Sequence, residues 1–135
     1  MKRYPTLTPE SMTADQRRVY ESITSGRRGT ATHGPFLPWL HSPAFADRAH
    51  TLGDYIRFDT VLPARLKELA VLMIARQWTA QYEWYAHKAF AQNAGLAEAV
   101  IDAIEARRRP DFANADEAAV WDFADELLRT HGVGD

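Results

Sequence analysis

The sequence contains no cysteine. Disulfides, thiolate metal centres and a cysteine nucleophile are therefore excluded. It has no apolar run approaching the ~18 residues of a membrane-spanning helix. It has no strand-like alternation of useful length, no internal repeat and no low-complexity tract. Charge of one sign is also lacking: 16 basic and 18 acidic residues leave a net charge of −2. A nucleic-acid footprint, which needs a strongly basic face, is not present. The opening "MKRYPTLTPE" has two basic residues but no apolar segment behind them. That argues against a secretory signal, and a cytoplasmic location is the default expectation.

What is there reads as one helical domain. A chain of 135 residues, 46% hydrophobic and 25% charged, can bury roughly two-thirds of its unfolded surface. The expected organisation is a single domain over 1–135, with an N-terminal arm over about 1–60, a core region over about 62–104 and a C-terminal helix over about 114–130. Thr13 and Gln16 form a capping-box pattern at the first helix. Val19 and Ile23 supply its apolar stripe, and Gly26 and Gly29 end it. "THGPFLPWLHSP" has three prolines and reads as a loop or short helical turn. Ser42 followed by Pro43 opens a second helix, with Phe45, Ala49, Leu52 and Ile56 expected on its inner face. "TVLPARLKELAVLMIARQW" predicts a central helix with Leu66, Leu69, Ala70, Met73 and Ile74 inward. A helix follows over about 79–93, stopped at Gly95. Val100, Ile101 and Ile104 mark a shorter helix halted before Pro110. Val120, Phe123, Ala124, Leu127 and Leu128 give the last helix an i, i+3, i+4, i+7, i+8 stripe. The basic run 107–109 sits at a helix C-terminus, where cations suit the dipole.

The stretch "TAQYEWYAH", residues 79–87, carries the chemistry. Glu83 and His87 stand four apart and so share one helical face. Ala80 and Arg76 extend that stripe if the helix is continuous, whereas a break near Thr79 re-aims Arg76. An antiparallel neighbour can bring Glu68 to the same place. Three uses of these residues are open. As an acid–base site, His87 changes charge close to neutral pH, Glu83 orients the ring, and a buried Glu68 beside Leu69 and Met73 holds a proton. Such a set can protonate an enolate-like intermediate, while Arg76 grips a substrate carboxylate with its forked donors. As a metal site, two carboxylates and one imidazole are the right donors, but the partner helix adds no second histidine. As structure, Glu83 with His87 and Glu68 with Arg76 are two internal polar contacts. Tyr82, Trp84 and Tyr85 line a pocket for a flat substrate, or else belong to the core or a subunit interface. His33 reads as an exposed or capping residue.

Residues 62–104 resemble the carboxymuconolactone decarboxylase and alkyl hydroperoxidase D-like (AhpD-like) family. Its peroxidase branch carries E-x11-C-x2-C-x3-H. Glu68 and His87 fall on the glutamate and histidine with spacing kept, while Ala80 and Glu83 stand where the cysteines belong. The decarboxylase branch often has glutamate four residues before its histidine, as Glu83 stands to His87. "GPFLPWLHSPAFADRA" is similar to the N-terminal arm of family members. The resemblance implies an all-α, AhpD-like fold and catalytic Glu68, Glu83 and His87. It implies cofactor-independent, lyase-type acid–base chemistry on a small organic acid or lactone, without thiol peroxidase activity. Substrate-binding roles are expected for Arg76, Tyr82 and His41, the last because relatives place that loop near the site. The alternatives are a peroxidase-related protein without thiol activity, or a non-catalytic oligomeric module. No metal, cofactor, nucleic-acid or membrane partner is expected. Relatives also continue with a further helical pair, whereas this sequence stops at "THGVGD". The apolar stripe of the last helix, with Trp121 beside it, therefore predicts a homo-oligomer: a dimer, trimer or hexamer, built on that helix or on the aromatic segment 82–90.

Overall fold

Thr13 and Gln16 cap each other as their spacing predicts. The Thr13 hydroxyl accepts from the Gln16 N–H, and the Gln16 side chain accepts from the Thr13 N–H at 2.9 Å. They open α1 (Ala14–Ser25) in a computed structural model that describes residues 4–27 and 34–134. Gly29 and His33 lie outside the described residues. The described residues are all-helical, with no strand among them. None of their helices is long and apolar enough to cross a membrane. By its internal contacts the chain divides into two units, Met1–Thr60 and Val61–Asp135.

The first unit holds α1, α2 (Phe36–Trp39), α3 (Pro43–Asp54) and a π-helical turn, Tyr55–Asp59. Met12, Val19, Ile23, Leu40 and Ala46 form its core, flanked by Phe36, Leu37 and Trp39. The proline-rich loop is thus a short helix lying on the unit's own core. Pro43 takes the first position of α3, where its missing N–H costs nothing. The expected inner face of α3 is corrected. Ala46 and His50 are buried, while Phe45, Leu52 and Ile56 face outward. Small Ala46 lets α1 and α3 approach, and His50 finds polar neighbours on both sides, Ser22 and Asp47 at one nitrogen and Asp54 at the other. Apolar periodicity alone favoured the larger residues and missed this.

The second unit is built on α4 (Ala64–Gln77), which packs against α5 (Gln81–Asn93), α6 (Glu98–Glu105) and α7 (Ala115–Thr130). Its central place is the one predicted. Its buried face is Leu66, Glu68, Leu69, Leu72, Met73 and Ala75, whereas Ile74 is exposed. Leu69, Leu72, Ile101 and Ile104 anchor the core, with Val120, Trp121 and Leu128 of α7 packed on it. The last helix keeps Ala124 inward but leaves Phe123 and Leu127 in solvent. Gly95, at φ 84°, closes α5 with Gly95 N–H on Gln92 O and Leu96 N–H on Ala91 O. That is a Schellman turn, and buried Leu96 makes its hydrophobic contact.

Candidate acid–base site

Glu68 is the single carboxylate on the buried face of α4 and is only 5% exposed. A carboxylate so buried needs a partner. The joint between α4 and α5 supplies it. Thr79 adopts φ 54°, and Ala80 N–H returns to Ala75 O at 2.8 Å. This tight turn folds α5 back along α4 and brings His87 Nδ1 to 2.6 Å from Glu68 Oε2. The contact is a short hydrogen bond between ring and carboxylate. One proton lies between the two atoms, donated by Nδ1 when Glu68 is ionised. The ring is thereby held with Nε2 as its second, outward atom. Glu83, one turn earlier, places Oε2 at 3.5 Å from Nε2, within ion-pair range. The Glu83 side chain is 44% exposed and that of His87 18%, so water reaches the Nε2 side while the Nδ1 side is closed. The Phe90 ring stands edge-on to the imidazole at 5.6 Å.

The three residues therefore converge from two helices. Arg76 does not join them. The helix breaks at 78–80, and Arg76 Nε donates instead to the Glu105 carbonyl at 2.7 Å. Among the described residues, Glu68, Glu83 and His87 have only one another as ion-pair partners. Tyr82 is half-exposed on the stripe beside Glu83, and Tyr85 is more exposed still, while Trp84 packs on the core. His41 belongs to the first unit, where its Nε2 meets the Pro5 carbonyl at 3.2 Å and its ring lies against Tyr4.

Two groups escaped the sequence reading. Glu117, on α7, is 3% exposed and is held by Arg65 Nη1, while Arg65 Nη2 bonds Asp116 at 2.8 Å. The bond to Asp116, aided by Glu117 and opposed by burial, raises the Arg65 guanidinium above its ordinary value. An acidic pair opening one helix and an arginine opening another were the available signal. The other group is His50, with Nε2 3.5 Å from the Ser22 hydroxyl and Nδ1 3.8 Å from Asp54. Its residue types suit acyl transfer, but its geometry does not. Nδ1 has no hydrogen-bond partner, and Ser22 sits within α1, whose backbone N–H groups are spent on the helix and cannot form an oxyanion hole.

Among the described residues, no group of three or more His, Asp or Glu is arranged to hold a metal ion. At the site itself the reason is visible: Glu68 and Glu83 address opposite nitrogens of one ring, so the donors diverge. Set against known proteins, the chain matches no family model, no curated protein and no solved structure.

Proposed function

We propose that Glu68, His87 and Glu83 form a cofactor-independent acid–base site of the carboxymuconolactone decarboxylase-like kind, acting on a small organic acid or lactone. One observation carries the reading: the 2.6 Å contact that fixes His87 Nδ1 on a buried carboxylate and leaves Nε2 facing outward. In this reading Glu68 positions the ring, Nε2 moves the proton, and Glu83 stabilises the imidazolium. In a decarboxylation the C–C bond to the leaving CO2 breaks, and its electron pair forms an enolate. Nε2–H then protonates that carbon, and water restores the proton. With Arg76 turned to Glu105, the imidazolium is the cation available to a substrate here. The leaving carboxylate must then sit on the carbon beside a lactone or other carbonyl group, which takes up the electron pair.

The test is a panel of lactones and small carboxylic acids assayed with the protein and with His87→Gln. Turnover lost in the variant, with circular dichroism still showing a folded helical chain, supports the proposal. Turnover indifferent to His87→Gln ends it. A second reading, a non-catalytic helical module with a structural Glu–His contact, draws on one fact. Two clefts beside Arg76 on this unit are lined by none of the three residues. We also propose that the chain self-associates as a dimer, trimer or hexamer, supported by outward Phe123 and Leu127 on α7 and Tyr85 on α5.

A further inference from the structure

We propose that the cleft where α4, α6 and α7 end binds a small organic anion with a flat apolar body. The cleft measures about 490 Å3, within the ~300–1,000 Å3 usual for small-molecule sites. Arg76, Arg107, Arg129 and His131 line it, with Trp121 and Leu128 among its apolar walls. One acidic residue, Asp125, shares the lining and is taken by Arg129 at 3.5 Å. Arg76 spends Nε on the Glu105 carbonyl, and its two terminal nitrogens have no protein partner among the described residues. Arg107 has none either. Two forked cations therefore face the space, and guanidinium forks match a carboxylate. The indole of Trp121 offers a flat surface to the body of the same ligand.

Helix dipoles are the plainer account of these cations, since three helices end here. Each C-terminus carries about half a negative charge, which Arg76 of α4 answers at the end of α6 and Arg129 answers at the end of α7. That account does not explain two backbone facts. Arg107 and His131 hold φ of 56° and 61° at the positions that follow α6 and α7. A side chain there costs about 1–2 kcal/mol, which glycine avoids. The chain uses glycine at the corresponding position after α5, Gly95, while Thr79, at φ 54° after α4, lines the neighbouring cleft beside Arg76. After α6 and α7 it keeps side chains, and both line the cleft. Strain retained at a cavity wall points to use of the side chains. Arg76 lies eight residues beyond Glu68 on α4, about 12 Å along the axis. The cleft is thus separate from His87 and independent of the reading given to it.

Benzoate is the probe and neutral benzamide its control, titrated calorimetrically into the full chain. Glycine suits the backbone at both positions, so Arg107→Gly and His131→Gly should unfold no earlier than the parent. Saturable benzoate binding is expected, with benzamide at least about tenfold weaker. Arg107→Gly should weaken benzoate about tenfold or more, equal to about 1.4 kcal/mol, and His131→Gly should weaken it less. His87→Gln should leave benzoate binding unchanged, which separates this cleft from the acid–base site. No saturable benzoate binding, equal binding of benzamide, indifference to Arg107→Gly, or loss in His87→Gln would each overturn the proposal.

Discussion

His87 Nδ1 and Glu68 Oε2 lie 2.6 Å apart, and the glutamate is closed off from water while the imidazole is not. Removing either partner alone has unequal consequences, because the buried group is the one that suffers. His87→Ala strands Glu68 and should cost about 3–5 kcal/mol, the usual penalty for breaking a buried pair. Replacing both by leucine removes the stranded charge and should cost far less, or nothing. Urea unfolding of the two variants measures the difference. Equal losses would mean that the pair contributes nothing specific.

A second buried carboxylate behaves by the same rule. Glu117 depends on Arg65, which also holds Asp116. Arg65→Ala should destabilise by about 3–5 kcal/mol. Arg65→Lys should recover only part of that, since an ammonium cannot serve two carboxylates with a planar fork. Denaturant midpoints for the three proteins should fall in the order Arg, Lys, Ala.

The helices were legible because their signals are local. Thr13 with Gln16, Pro43 and Gly95 each act within a turn of their own position, and each is where the pattern put it. The convergence of Glu68 on His87 was reachable too, since a short joint between two helices implies antiparallel neighbours. Arg76 shows what was not legible. Whether it shares the His87 stripe depends on the backbone at Thr79, and a threonine at φ 54° leaves no mark that glycine would have left. The buried face of α3 failed for a different reason: burial of His50 is a matter of polar partners, which hydrophobic periodicity does not count.

The absence of cysteine gives a prediction about chemistry. Peroxide reduction of the AhpD-like kind runs through two cysteines, and this chain has none. Thiol-dependent turnover of hydrogen peroxide or an alkyl hydroperoxide should be absent in a coupled reductase assay. A rate that persists after dialysis and depends on the folded protein would demand another redox centre.

Two helix ends should respond oppositely to glycine chemistry. Thr79 and Gly95 occupy the same place in the same kind of turn, at φ 54° and 84°. Thr79→Gly relieves a β-branched residue of a left-handed conformation worth about 1–2 kcal/mol and loses a little to unfolded-chain entropy. A net gain near 1 kcal/mol is expected. Gly95→Ala adds the same strain where no atom lies within 4 Å of the new methyl, so its loss of about 1 kcal/mol would be purely conformational. Paired thermal unfolding curves check both signs at once.

The outward side of α7 gives a prediction about self-association. Phe123 and Leu127 stand one turn apart on one face and are 56% and 42% exposed. Their neighbours Val120, Ala124 and Leu128 are already committed to the chain's own core. A large apolar side chain left fully in water forgoes roughly 1.5–3 kcal/mol of burial, so a second copy laid along this face would recover much of two such terms. Light scattering at micromolar concentration should then give a mass above the 15.3 kDa of one chain. Phe123→Lys with Leu127→Lys should return it to that mass. Circular dichroism should remain helical, because neither residue is in the core. A parent protein that scatters as a single chain would show that these two residues are ordinary exposed apolar groups, and α7 would have no partner to explain.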